Sequence, residues 1–208
     1  MRDTTHTDTS DLRFPGLVVT LPDWVRDVIP SEDHVYRTDE EKMRLVLTLA
    51  AENTRRNGGG PFGAAIFDGD RNLLIAPGVN MVVRSRWSGA HAEIVAFAVA
   101  QQRMGTHDLG GEGMPRCELF TSTEPCSMCL GATLWTGVRR LVCSARDEDA
   151  REIGFDEGPK PDRWPQQLAE RGIAVRRDLL RDEGRRVLLA YRDMGGAIYN
   201  ARQGDTGE

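Results

Sequence analysis

Two short segments constrain this chain more than any other feature: His91-Ala92-Glu93 and, 35 residues further on, Pro125-Cys126-Ser127-Met128-Cys129. One imidazole and two thiols are donors that hold zinc, and three protein ligands leave the fourth tetrahedral position to water, whereas a structural zinc is closed by four. Glu93 adds a carboxylate outside that ligand set. One zinc per chain held in this way activates water, so the pattern points to hydrolysis.

Each segment makes local sense. Pro125 suits the first position of a helix, because its missing N–H is not needed there. Cys126 is then expected in the first turn, where the positive end of the helix favours thiolate. Three residues on, Cys129 falls on the same face. His91 is expected to open a second helix over Ala90 to Met104, rich in helix formers and apolar around most of its circumference, hence buried. Glu93 is two residues from His91 and does not share its face, which places it beside a bound water as a general acid/base.

Blander readings compete with this one. A lone C-x-x-C also serves as a redox pair or a structural zinc site. The redox reading wants the motif after the first strand of a thioredoxin-like unit, and here it falls past the middle of the chain. The structural reading needs a fourth ligand, which Cys117 or Cys143 would have to supply from the strand-like segments CELFTST and RRLVCSA. Buried free cysteine in such strands behaves as a small hydrophobe.

The remaining composition narrows the class. At 208 residues with 39% hydrophobic content the chain is long enough for one core, and a single domain over residues 20–200 is expected, between tails at 1–19 and 201–208. Four cysteines, two of them assigned to metal, fit a reducing compartment. The polar N-terminus has no signal-peptide core and no run is long enough to span a membrane, so a cytoplasmic location is expected. A net charge of −5 argues against a nucleic-acid partner. The arginine pairs 55–56, 139–140, 176–177 and 185–186 are interleaved with acids and read as solvated surface.

Along the chain, LPDWVRDVI reads as a short capping helix, and Thr38 as the N-cap of a helix that runs to about Arg56 and stops at Gly58-Gly59-Gly60. Phe62–Phe67 and Leu73–Val79 read as a hairpin. The His91 helix, a strand near 117–122, the Cys126 helix and a strand at 138–143 follow. Helices at 147–153 and 164–171, a strand at 173–177 and a helix at 182–192 complete the chain. Such alternation argues a layered α/β fold.

H-x-E followed by P-C-x-x-C is the signature of zinc-dependent nucleobase deaminases. The chain resembles the cytidine-deaminase superfamily, and within it the guanine deaminases and their relatives acting on guanosine or aminotriazines, through GGPFGAAI (59–66), HAEIVA (91–96), TSTEPCSMCLGATLW (121–135) and DEDAREIGFDEG (147–158). The resemblance covers Thr38 to Gly158 closely. It implies a three-layer α/β/α cytidine-deaminase-like fold with a central five-stranded mixed sheet, and a homodimer. His91, Cys126 and Cys129 would hold zinc, and Glu93 would shuttle protons with help from Glu157. Asn80 would hydrogen-bond the base, and Phe62 and Trp135 would line the pocket. In the resembling enzymes a C-terminal aromatic crosses to the partner's active site; here the candidate is Tyr199. The implied substrate is a small nucleobase or nucleoside, with guanine converted to xanthine and ammonia. Two alternatives stand: tRNA adenosine deamination, and a non-catalytic zinc-stabilised interaction module.

Overall fold

The computed structural model describes residues 16–201, and the terminal tails expected from the sequence lie, apart from residues 16–19 and Ala201, outside the described residues. Helix α1 (Trp24–Val28) leads into α2 (Asp39–Arg55), whose N-cap Thr38 accepts a hydrogen bond from the Glu41 amide, as its sequence predicts. Strands β1 (Gly63–Asp68) and β2 (Leu73–Val79) form the expected hairpin. A short helix α3 (Val82–Ser85), which the sequence reading missed, precedes α4 (Ala92–Met104), β3 (Cys117–Thr123) and α5 (Ser127–Thr133). Strand β4 (Arg140–Ala145), helices α6 (Asp147–Glu152) and α7 (Trp164–Glu170), strand β5 (Ala174–Arg176) and helix α8 (Arg181–Asp193) follow.

The five strands form one mixed sheet in the order β2-β1-β3-β4-β5. Strand β1 is antiparallel to both β2 and β3, whereas β3, β4 and β5 run parallel. Side chains alternate across the sheet: Ala64, Ile66, Leu119 and Leu141 pack with α4, α5 and α7 on one face, and Ala65, Phe67, Phe120 and Val142 with α1 and α2 on the other. This is the three-layer α/β/α arrangement. Strands β1 and β3 are buried along their whole length, which explains why they read as unbroken apolar runs rather than alternating ones.

The strand directions decide where a site can form. Because β1 is reversed relative to its neighbours, its start (Gly63, paired with Val79) lies beside the end of β2, and its Ala64 pairs with Thr121 near the end of β3. Phe62, Asn80, the Glu124–Cys126 turn and Asp147 therefore leave the sheet at one edge. Ligand sites in α/β sheets form outside the carboxyl ends of the parallel strands, and both α4 and α5 begin there.

Candidate active site

His91 is the N-cap of α4, with extended backbone (φ −68°, ψ 156°), and Cys126 is the N-cap of α5 (φ −63°, ψ 172°). The sequence reading placed Cys126 in the first turn with Pro125 opening the helix. The structure corrects this: the Leu130 amide bonds the Cys126 carbonyl as the first intrahelical contact, and the Pro125 carbonyl is taken instead by Lys160 Nζ at 3.0 Å. Both helices still point their positive ends at the same spot.

The nearest donor atoms of His91, Cys126 and Cys129 lie within 4.8 Å of one another, and His91 Nδ1 is 3.4 Å from Cys126 Sγ. A tetrahedral zinc with ordinary bond lengths sets its nitrogen and sulfur ligands roughly 3.6–3.8 Å apart, so these residues fit that ion. Among the described residues neither Cys117 nor Cys143 joins the group; both are buried in β3 and β4, and the four-ligand structural reading loses its candidates. A hydrogen bond from the Cys129 thiol and the neighbouring His91 hold the Cys126 thiol down to about 4, while the same bond and burial push Cys129 well above the ordinary thiol range. Metal binding displaces the remaining proton.

Around these donors lies a cavity of about 320 Å³. Glu93 and Glu157 both line it, each only 6% exposed. Burial, reinforced by the Cys126 thiolate, pushes the Glu93 carboxyl up to about 7 and the Glu157 carboxyl up to about 8. Two buried carboxyls in one pocket beside a cation site are the groups that move protons.

Asn80 is buried at the end of β2, and its Oδ1 accepts a 3.3 Å hydrogen bond from the Val82 amide. Phe62 lines the same cavity and meets Phe155 edge-on at 4.9 Å, and Phe155 meets Tyr199 at 5.1 Å. Tyr199 comes from the C-terminal segment, which folds back over the cavity of its own chain; Asn200 pins it there by accepting from the Asp156 amide (2.9 Å) and donating to the Gly154 carbonyl (2.9 Å). Trp135 does not join them. The residue is 86% exposed just beyond the C-terminal end of α5, six residues past Cys129, and it does not line the cavity.

The sequence reading also missed three residues. Phe155 sits inside the GFDE stretch already singled out, two residues before Glu157. Asn53 is wholly buried in α2, where its Nδ2 donates to both the Gly60 carbonyl (3.0 Å) and the Asn80 carbonyl (2.9 Å), tying the glycine turn to the end of β2. Its signal was legible: Val46, Leu49, Ala50 and Asn53 are spaced as one helical stripe, and the last is polar. Glu124 lines the cavity, but its carboxylate is taken by Arg177 Nε (2.5 Å) and the Asp147 amide (3.3 Å) and is spoken for structurally.

Comparison with known proteins agrees with this geometry. Residues 36–145 match the family described as the cytidine and deoxycytidylate deaminase zinc-binding region, and the chain belongs to that family. It is a zinc-dependent hydrolytic deaminase. A guanine deaminase of Bacillus subtilis (strain 168) is 40% identical over 119 residues, 57% of this chain and 71% of the relative. The structure titled as a guanine deaminase from Nitrosomonas europaea superposes with a TM-score of 0.81 at 47% identity, covering 86% of this chain and 97% of that one. A crystal structure solved in complex with 2,6-diaminopurine gives a TM-score of 0.83 at 48% identity, covering 90% and 98%. A tRNA-specific adenosine deaminase of Haemophilus influenzae is more distant, at 35% identity over 116 residues. Among the described residues no helix is long and apolar enough to cross a membrane.

Proposed function

We propose that this chain hydrolyses guanine to xanthine and ammonia within one domain spanning residues 20–200. The observation that carries the reading is the placement of two buried carboxyls, Glu93 and Glu157, in one small cavity with the His91, Cys126 and Cys129 donors.

His91, Cys126 and Cys129 would hold zinc, which when bound supplies a nucleophilic water at neutral pH. Glu93 takes the proton from the attacking water and passes it to the ring nitrogen beside the amino-bearing carbon. As the C–O bond forms and the C–N bond breaks, Glu93 and Glu157 deliver the protons with which the amino group leaves as ammonia. Asn80 offers one amide donor and one acceptor to the polar edge of the base, while Phe62 and Phe155 bound its flat face. Tyr199 and Asn200 form part of the cavity wall.

The C-terminal residues Tyr199, Asn200 and Ala201 line the same cavity, where they would meet either the base or the sugar of a nucleoside. Adenine lacks the carbonyl and ring N–H pattern that Asn80 and Glu157 complement, and a site built around such bonds rejects an analogue without them by as much as ~10⁴–10⁵. The same reading has the chain working as a cytoplasmic homodimer. Support comes from the four free cysteines and from three exposed apolar residues, Met128 in α5 and Leu134 and Trp135 just past its end.

Ammonia release from guanine, guanosine, adenine, cytosine and an aminotriazine, measured side by side as kcat/KM, tests the assignment. Guanine should lead adenine and cytosine by at least about 100-fold. Adenosine in tRNA or cytosine as the best substrate would overturn the purine reading.

A further inference from the structure

The chain contains only two lysines, Lys42 and Lys160, against 25 arginines. Both are buried, with side chains 4% and 7% exposed, and each is paired with a carboxylate, Glu118 and Asp147 respectively, at 2.9 Å. Arginine serves the surface, and lysine appears where a compact charge with three donors must fit inside. Lys42 lies between Phe67 and Phe120 on the side of the sheet packed against α2. Lys160 lies two residues beyond Gly158, the last residue of the 155–158 stretch that lines the cavity. Its ammonium reaches the Asp147 carboxylate at 2.9 Å and the Pro125 carbonyl at 3.0 Å, the peptide oxygen directly before the ligand Cys126.

We infer that Lys160 is a positioning residue: it clamps the loop carrying Glu157 onto the turn carrying Cys126, and so fixes the distance between the second carboxylate and the metal donors. The inference rests on the catalytic reading of Glu157 given above. Four features converge on it. Pro159 and Pro161 flank Lys160, and the residue before a proline is held extended, so the lysine leaves the loop in a set direction. Ser127, between the two ligand cysteines, donates its amide to the Glu157 carbonyl at 3.0 Å and its hydroxyl to the Pro159 carbonyl, with the Glu157 carbonyl also 3.2 Å from that hydroxyl. Gly158 adopts a positive φ of 66°, and a Cβ there would stand 2.7 Å from Ser127 Oγ, so only glycine lets the two segments close. Arg151 closes the back of the loop, reaching the Gly158 carbonyl at 2.7 Å and Asp147 at 3.4 Å. Lys160 is the one charged side chain in this set that spans from the loop to the peptide before a metal ligand.

Two variants cut the clamp from either end, Lys160→Met and Asp147→Asn. Each should retain about one zinc per chain and lower kcat for ammonia release roughly 10–100-fold, the scale of a misplacement near 1 Å, with KM changed less than about threefold. In a Glu157→Gln background each should add little, because the group it positions is already disabled; an equal loss there overturns the proposal. Hydrogen exchange gives a readout that needs no substrate: the Ser127 amide and residues 155–160 should exchange at least about tenfold faster in both variants, with α2 and β3 unchanged. Unchanged exchange in both variants overturns the clamp whichever ring the enzyme turns over. Wild-type protein inactive on guanine but showing the exchange response in its variants would remove the substrate reading and leave the clamp standing.

Discussion

The hydroxyl of Tyr199 stands where a side chain on Gly60 would begin: a Cβ at residue 60 would lie 2.0 Å from Oη and 2.9 Å from Cζ. The hydroxyl is buried and has no hydrogen-bond partner among the described residues, and the ring is seated by contact with Gly60. Gly60→Ala should therefore unseat Tyr199 and raise KM about tenfold while zinc stays bound, a difference of ~1.4 kcal/mol in substrate binding. Tyr199→Phe keeps that ring contact, so its KM should rise less than that of Gly60→Ala. Steady-state kinetics with metal analysis checks both; wild-type KM in Gly60→Ala would remove Tyr199 from the binding site.

Glu93 separates chemistry from metal binding. Glu93→Gln removes the proton acceptor and leaves the three donors intact, so turnover should fall by roughly 10²–10⁴ with full zinc content and an unchanged melting profile. Loss of zinc together with activity would mean that Glu93 is a ligand rather than a shuttle.

The donor set predicts a division among the four cysteines. Cys129→Ala should lose both zinc and activity, and a strong chelator should abolish turnover in the wild type until zinc is restored. Cys117→Ala, in the interior of β3, should keep about one zinc per chain. Metal content by elemental analysis decides, and zinc lost on Cys117→Ala would reinstate a closed four-ligand site.

Acid stability should depend on Asp39, at the start of α2. Its hydrogen bond from Arg140, with burial opposing and the Arg140 and Arg176 charges assisting, holds the carboxyl below the usual carboxylate range. A depressed folded-state value stabilises the fold above the unfolded value near 3.9, and that contribution is lost as pH falls through the folded one. Urea midpoints measured from about pH 6 down to pH 3 should fall more steeply for the wild type than for Asp39→Asn. Parallel curves would show that the pair contributes nothing to folding.

What could be read from the sequence was local. Thr38 announced its helix because capping is settled within four residues, and His91, Glu93, Cys126 and Cys129 announced a metal site because ligand chemistry restricts residue type and spacing together. Phe62 and Asn80 were picked out by resemblance alone, and the hairpin brings both to the edge of the cavity. Trp135, also taken from the resemblance, does not line the cavity of its own chain: the direction in which a residue at a helix end points is set by what packs there, and nothing in its neighbours says that it faces outward. Asn53 and Lys160 act across 27 and 35 residues, and such partners emerge only with the topology. Lys42 sits in the charged first turn of α2, which reads as solvent-facing, yet the helix turns it inward onto Glu118.

Helix α5 is only seven residues long, and it carries the ligand Cys129 on its inner side and Met128 at its surface. A body so short cannot yield on one side and hold on the other. In the proposed homodimer a partner copy covering Met128, Leu134 and Trp135 would also steady Cys129, and by linkage the metal would tighten that association by the factor by which association tightens the metal. Diluting the protein should then hasten zinc transfer to a chelator, so that the concentration of the chain itself governs how long each copy remains armed.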